Sequence, residues 1–104
     1  MIKVIIKQQD EELLGLQIKG HANYAEHGKD LVCAGVSSIA VGLLNALSQL
    51  CEESCTCSMS EGNINVEILQ VNQINQLILK TGIIQLQTME LSYKNYIKIT
   101  KTEV

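Results

Sequence analysis

Two runs near the start of the chain alternate between apolar and polar residues with the period of a half-buried strand. Their apolar members are Ile2, Val4 and Ile6 in the first run and Leu14, Leu16 and Ile18 in the second. The polar stretch QQDEE between the runs predicts a turn. The two strands are therefore expected to form a hairpin that ends at Gly20.

From Leu31 the apolar spacing changes to steps of three and four residues, which is typical of an amphipathic helix with a broad buried face. The apolar positions are Val32, Val36, Ile39, Ala40, Leu43, Leu47 and Leu50. Asp30 stands immediately before this run, where a carboxylate accepts hydrogen bonds from the free amides of a helix's first turn. The pattern predicts that the helix starts there, with Asp30 as its N-cap.

The second half of the chain repeats this order of elements. CTCSMSEGNINVEIL contains two alternating runs around Gly62-Asn63, which predicts a second hairpin. A second helix is expected from about Val71 to Leu91, with Gly82 marking a close helix–helix contact, and YIKIT supplies a last strand. The order ββαββαβ predicts a single α+β domain, 1–104, with two layers: a mostly antiparallel sheet of about five strands and two helices packed on one face.

The amino-acid composition disfavours one class of function, direct nucleic-acid binding. The chain is 46% apolar and 18% charged, with three tyrosines, no Phe and no Trp. Aromatic platforms for stacking nucleic-acid bases are therefore scarce. The eight lysines are scattered and the net charge is −3, so direct nucleic-acid binding is not expected, whereas a basic protein partner fits.

The start MIKVIIKQQD is too short and polar for a signal peptide, and we expect no apolar run of membrane-spanning length. We therefore expect a cytoplasmic protein that does not bind a membrane. Thiols stay reduced in that compartment, so the four cysteines are not expected to form disulfides.

The candidate chemistry lies in GHANYAEHGKDLVCAGVS, residues 20–37, which holds both histidines, His21 and His27, close to Cys33. Cys33 would be the third helical residue, where the helix dipole lowers the pKa of a thiol and free amides can hold an oxyanion. A nearby imidazole would complete a nucleophile–base pair. The loop from Gly20 to Asp30 also contains Gly28, and loops of this length are usually functional.

Two other interpretations stay open at this point. Cys33 can be a buried structural cysteine beside a loop histidine, or His21, His27 and Cys33 can bind zinc with Asp30, although no close-spaced ligand pair is present. Cys51, Cys55 and Cys57 are interpreted as small buried hydrophobic residues, since a zinc site there lacks a fourth ligand. We therefore predict no metal site and no cofactor.

The residues GHA at 20–22, Gly28, Asp30 and VCAGVS at 32–37 resemble the signature of the ribosomal-processing cysteine proteases called Prp. The resemblance covers essentially the whole chain. It implies a bacterial cytosolic endopeptidase that removes the amino-terminal extension of a large-subunit ribosomal protein, number twenty-seven. It also implies a homodimer and a mobile loop over the site.

The resemblance assigns the roles residue by residue. Cys33 is implied as nucleophile and His21 as base and acid, and Asp30, Ser37 and Gly20 as supporting residues. His27 is outside the motif and is treated, with Gly28, as a loop residue. The alternative function is a non-catalytic thiol or metal-binding adaptor associated with the translation machinery.

Overall fold

The computed structural model describes residues 1–20 and 30–104. Its elements in chain order are β1 (Ile2–Gln9), β2 (Glu12–Lys19), α1 (Leu31–Leu50), a 3-10 turn (Glu52–Ser54), β3 (Cys55–Ser60), β4 (Asn63–Ile68), α2 (Gln73–Ser92) and β5 (Ile97–Glu103). The predicted order ββαββαβ is confirmed. The second hairpin turns one residue earlier than predicted, at Glu61 and Gly62, because Gly62 takes the positive φ of 70° that the turn requires.

The five strands form one sheet in the order β3-β4-β2-β1-β5. Strand β2 pairs with β1 on one side and with β4 on the other, which joins the two hairpins into one sheet. These pairings and β3–β4 are antiparallel, whereas β5 pairs with β1 in parallel. The sheet is therefore mostly antiparallel, as predicted, with one parallel pair. Strands β3 and β5 are its two edges.

A bulge in the first hairpin changes which leucine of β2 packs on the core. The register shifts between Lys7 and Gln8, so that Lys7 faces Gly15 and Gln8 faces Leu13. Leu13 consequently packs against the core, although the sequence alternation assigned that role to Leu14. The side-chain amide of Gln76 makes two hydrogen bonds with the backbone of Leu13. It donates to the carbonyl and accepts from the N–H, at 2.8 Å each. This contact fixes the start of α2 against the bulge.

Both helices pack on one face of the sheet. Their buried residues include Val32, Val36, Ala40, Leu43 and Leu47 of α1 and Leu79, Ile83 and Leu86 of α2. The predicted close contact at Gly82 is confirmed, since a Cβ there would lie 2.6 Å from a methyl carbon of Leu43. Glycine thus lets the two helices approach each other.

The start of α2 is fixed by a buried amide network. Asn75 is fully buried, and its Oδ1 accepts from the amide of Asn72 at 3.2 Å and from Gln76 Nε2 at 3.2 Å. Its Nδ2 donates to Ser54 Oγ at 3.0 Å and to the carbonyl of Gln70 at 2.9 Å. All four bonding positions of the amide are used, as burial requires.

Two expectations were wrong: that no apolar run is long enough to span a membrane, and that Cys57 is buried. The uncharged helix α1 is, by length and composition, apolar enough to cross a membrane. In the fold, however, its buried stripe packs in the core. Cys57 is exposed rather than buried, although Cys55, on the same face of β3, is buried. Cys55 follows the 3-10 turn directly and its thiol contacts Cys51, whereas Cys57 lies farther along the strand.

Candidate active site

Three strand ends meet at one end of the sheet. Ile2 pairs with Ile97, and Lys3 pairs with both Lys19 and Lys98. The beginning of β1, the end of β2 and the beginning of β5 therefore lie side by side. Residue 21 follows this end of β2 after a single glycine.

The helices bring Cys33 to the same end. The amide of Ile99 donates to Glu90 Oε2 at 2.9 Å, which holds the last turns of α2 beside the beginning of β5. A Cβ on Gly35 would lie 2.7 Å from Met89 Cε, so the first turns of α1 pack against those last turns of α2. Cys33 thus lies at the end of the molecule where β2 ends. No local pattern indicated that Met89 packs here, because this packing depends on the contact between the helices.

Asp30 caps α1 as predicted. Its Oδ1 accepts from the amides of Val32 and Cys33, both at 3.0 Å. Its carbonyl accepts from the amide of Ala34 at 3.0 Å. Asp30 therefore fixes the first turn and with it the backbone that carries the thiol. Cys33 itself is half-buried and packs against the core.

The cap changes one chemical expectation. The amides of residues 32 to 34 all donate to Asp30, so they are already engaged. This arrangement therefore disfavours an oxyanion at these amides, since an oxyanion needs donors directed at it, and the expectation that they hold one stays a prediction. The first turn positions Cys33 and does not supply ready donors from these three residues.

Gly20 has a conformational role. Its φ is 97°, a region that favours glycine, and a Cβ there would lie 2.5 Å from the carbonyl oxygen of Met1. Its amide donates to the carbonyl of Gly62 at 3.0 Å. The backbone that leads to His21 is therefore anchored to the turn between β3 and β4.

The remaining predicted site residues fall into two groups. Ser37 lies one turn beyond Cys33 on α1 and is exposed. His21, His27 and Gly28 lie outside the described residues, so their predicted roles stay predictions.

The other cysteines gather at the far end of α1. Cys55 Sγ donates to the carbonyl of Cys51 at 3.5 Å. Burial raises the pKa of the Cys55 thiol to about 12, and the neighbouring Cys57 and Cys51 thiols act in the same direction. Within residues 1–20 and 30–104, no group of three or more His, Cys, Asp or Glu side chains is arranged to hold a metal ion.

Known proteins resemble this chain over nearly its full length. A family model described as cysteine protease Prp matches residues 1–98. The ribosomal processing cysteine protease Prp of Bacillus subtilis strain 168 is 34% identical over 108 residues, which cover 96% of each chain. The protein of that name from Staphylococcus aureus strain Mu50 is 35% identical over 103 residues, covering 95% of this chain and 97% of its own.

Two solved structures have the same fold. Both are of the essential ribosomal processing protease Prp from S. aureus. The complex with a covalently linked product peptide is 33% identical, with a TM-score of 0.92, and covers 98% of this chain and 100% of its own. The complex with a substrate peptide is 32% identical, with a TM-score of 0.86 and the same coverage. The chain therefore belongs to the Prp family of cysteine proteases.

Proposed function

We propose that this chain is a cytoplasmic cysteine endopeptidase that removes the amino-terminal extension of a large-subunit ribosomal protein, number twenty-seven, with Cys33 as nucleophile and His21 as base and acid. The observation that carries the proposal is the capped first turn of α1, which holds Cys33 half-buried at the end of the molecule where β2 ends. Residue 21 follows Gly20 directly at that end. The relatives named as ribosomal processing proteases support the substrate class.

The chemistry follows from these two side chains. His21 takes the proton of the Cys33 thiol, and the thiolate adds to the carbonyl carbon of the scissile bond. The tetrahedral intermediate collapses when the C–N bond breaks, and the leaving amine takes the proton from His21. Water, deprotonated by His21, then cleaves the thioester and restores the thiol. A relative solved with a covalently linked product peptide supports covalent catalysis.

The oxyanion of this intermediate requires donors other than the amides of residues 32 to 34, which Asp30 engages. Asp30 therefore acts as a positioning residue in this mechanism. Its carboxylate fixes the first turn, while the helix dipole still favours a negative charge at that end.

The test is cleavage of the extended ribosomal protein, followed by intact mass. We expect the protein to shorten this substrate in the presence of a chelator and to lose activity on alkylation. Peptide mass spectra should show that the loss of activity follows the alkylation of Cys33 and not that of the exposed Cys57. Cys33→Ala should abolish cleavage, and undiminished cleavage by this variant would refute the assignment of the nucleophile.

The two histidines provide a matched pair of variants. His21→Ala should remove nearly all turnover, because no imidazole is then present to deprotonate the thiol or to protonate the leaving amine. His27→Ala should leave turnover close to that of the unmodified protein. The opposite order would make His27 the base.

We also propose that the chain forms a homodimer through the outer faces of α1 and α2. A groove of about 540 Å³ lies between the helices, and Leu50, Ile74 and Leu77 on its rim are more than half exposed. Helix α1 carries no charged residue over its 20 positions. Two copies can therefore bring this face together without repulsion between like charges, and an apolar patch of this kind is typical of an interface.

Sedimentation equilibrium tests the dimer. Leu77→Glu, in the groove, should give a monomer, because a carboxylate would be buried against the second copy. Leu91→Glu is the control, since Leu91 is exposed on α2 but does not line the groove. A dimer that survives Leu77→Glu would refute this interface.

A further inference from the structure

The two edges of the sheet differ in their backbone hydrogen bonding. At the β5 edge, the amide of Ile99 donates to Glu90 Oε2 at 2.9 Å, and the amide of Ile97 donates to the carbonyl of Tyr93 at 3.1 Å. The end of α2 therefore occupies the outward amides where β5 begins. Such coverage is a common way to prevent pairing at a sheet edge.

The β3 edge is open in the part of the chain that the structure describes. Ser60 and Asn63 flank a two-residue turn, and the amide of Leu69 donates to the carbonyl of Ser54 at 2.8 Å. Hydrogen-bonded pairs alternate in an antiparallel ladder. Both observations therefore indicate that the even-numbered residues of β3 make the backbone hydrogen bonds to β4. The N–H and C=O groups of Cys57 and Met59 therefore point away from the sheet.

The side chains beside this edge are also exposed. Cys57 and Met59 lie on the same face of β3 as the buried Cys55, because residues two apart share a face. Met59 is nevertheless 61% exposed, and Cys57 is exposed. An apolar strip thus accompanies a row of backbone donors and acceptors, which is what an added strand of polypeptide recognises.

The segments next to β3 in the chain are acidic. No lysine or arginine occurs between residues 30 and 79, and this span contains five carboxylates, while Lys19 of β2 lies two strands from β3, across Asn63. Glu52 and Glu53 precede β3 and Glu61 follows it, and all three are exposed. A basic segment would therefore be attracted to this edge, whereas an acidic one would be repelled.

The edge is joined to the candidate active site. The carbonyl of Gly62, in the turn after β3, accepts from the amide of Gly20 at the end of β2. Strands β2 and β3 are separated by β4, so a strand added beyond β3 lies about 14 Å from the end of β2 at roughly 4.8 Å per strand. An extended chain covers that distance in about four or five residues.

We propose that the open edge of β3 is a docking site for an extended, basic segment of the substrate polypeptide, which adds to the sheet as a sixth strand about four or more residues from the bond that Cys33 cleaves. This inference rests on the proposed function. It adds a second binding site, which makes cleavage depend on a part of the substrate remote from the scissile bond.

The test compares the extended ribosomal protein with a short peptide that ends about four residues to either side of the scissile bond. Met59→Pro removes one outward amide without removing a bond to β4. We expect it to lower the ratio of kcat/KM for the long substrate to that for the short one by about tenfold, the effect of losing one or two backbone hydrogen bonds. Lys101→Pro, at the exposed part of the opposite edge, should retain the ratio.

An unchanged ratio in Met59→Pro, or the same fall in Lys101→Pro, would overturn the inference alone. If the unmodified protein cleaves neither substrate, the proposed function fails and this inference fails with it. The two failures are therefore distinguishable.

Hydrogen exchange avoids the risk that Met59→Pro does not fold. In Cys33→Ala, we expect the extended ribosomal protein to slow exchange at the amides of Cys57 and Met59. No protection there would overturn the docking site. Protection that rises with the concentration of the protein alone would also overturn it, because a second copy would then occupy the edge.

Discussion

Replacing Asp30 by alanine tests whether the helix cap positions the nucleophile. The change removes the oxygen that accepts from the amides of Val32 and Cys33, both at 3.0 Å. Loss of an N-cap costs about 1 kcal/mol of the free energy of unfolding, and up to about 2. For a domain of this size, the melting temperature falls by about 4–8 °C for each kcal/mol.

The expected loss of activity is larger than unfolding can explain. At about 0.05 kcal/mol per residue, the chain has a free energy of unfolding of about 5 kcal/mol. A loss of about 2 kcal/mol leaves about 3, so the unfolded fraction stays below about 1%. Fraying of the first turn, however, displaces Cys33 in the folded protein. A local cost of 1–2 kcal/mol lowers kcat/KM by about five- to thirtyfold.

The assay pairs thermal unfolding with kcat/KM for the extended ribosomal protein. Asp30→Asn should retain most stability and activity, because asparagine caps a helix about as well. Asn72→Ala removes the cap of α2, where Asn72 Oδ1 accepts from the amide of Asn75 at 2.8 Å. It should destabilise the protein similarly without a comparable loss of activity. If Asp30→Ala loses stability but keeps full activity, or if Asn72→Ala loses as much activity, the cap does not position the nucleophile.

Three further predictions concern stability, measured by urea unfolding. Asn75→Ala should cost about 3–4 kcal/mol, since four hydrogen bonds of about 1 kcal/mol each are lost; a loss below about 1 kcal/mol would contradict the network. Gly42→Ala should stabilise by about 0.5–1 kcal/mol, because no atom lies within 4 Å of the new Cβ, whereas Gly82→Ala should destabilise through its contact with Leu43. The raised pKa of Cys55 favours the neutral thiol in the folded protein. Its contribution to the free energy of unfolding is therefore complete below pH 9.0 and is lost as pH rises toward about 12. Cys55→Ala should make the free energy of unfolding less dependent on pH in this range.

Local patterns in the sequence determined the elements and part of the site. The spacing of apolar residues was enough for the order ββαββαβ, because side-chain periodicity is a property of each segment. Asp30 was identifiable as the cap because a helix start needs an acceptor within a few residues. Gly82 indicated a close helix contact, since glycine inside a helix otherwise costs stability. The motif around Cys33 was local too, and it indicated the family.

Contacts between distant segments decided the rest. The parallel pairing of β5 with β1 and the bulge that places Leu13 rather than Leu14 against the core depend on partners that no local pattern specifies. The sequence predicted that Asp30 accepts from first-turn amides, and the geometry of the cap decided that these are the amides of residues 32 to 34.

The exposure of β3 and the role of α1 were also tertiary outcomes. Cys55 and Cys57 share one alternating pattern, yet only Cys55, which lies against Cys51 after the end of α1, is buried. An uncharged helix such as α1 has the composition of a membrane span. Its role as a core helix follows only from the sheet against which its buried stripe packs, since burial depends on what a face meets in space.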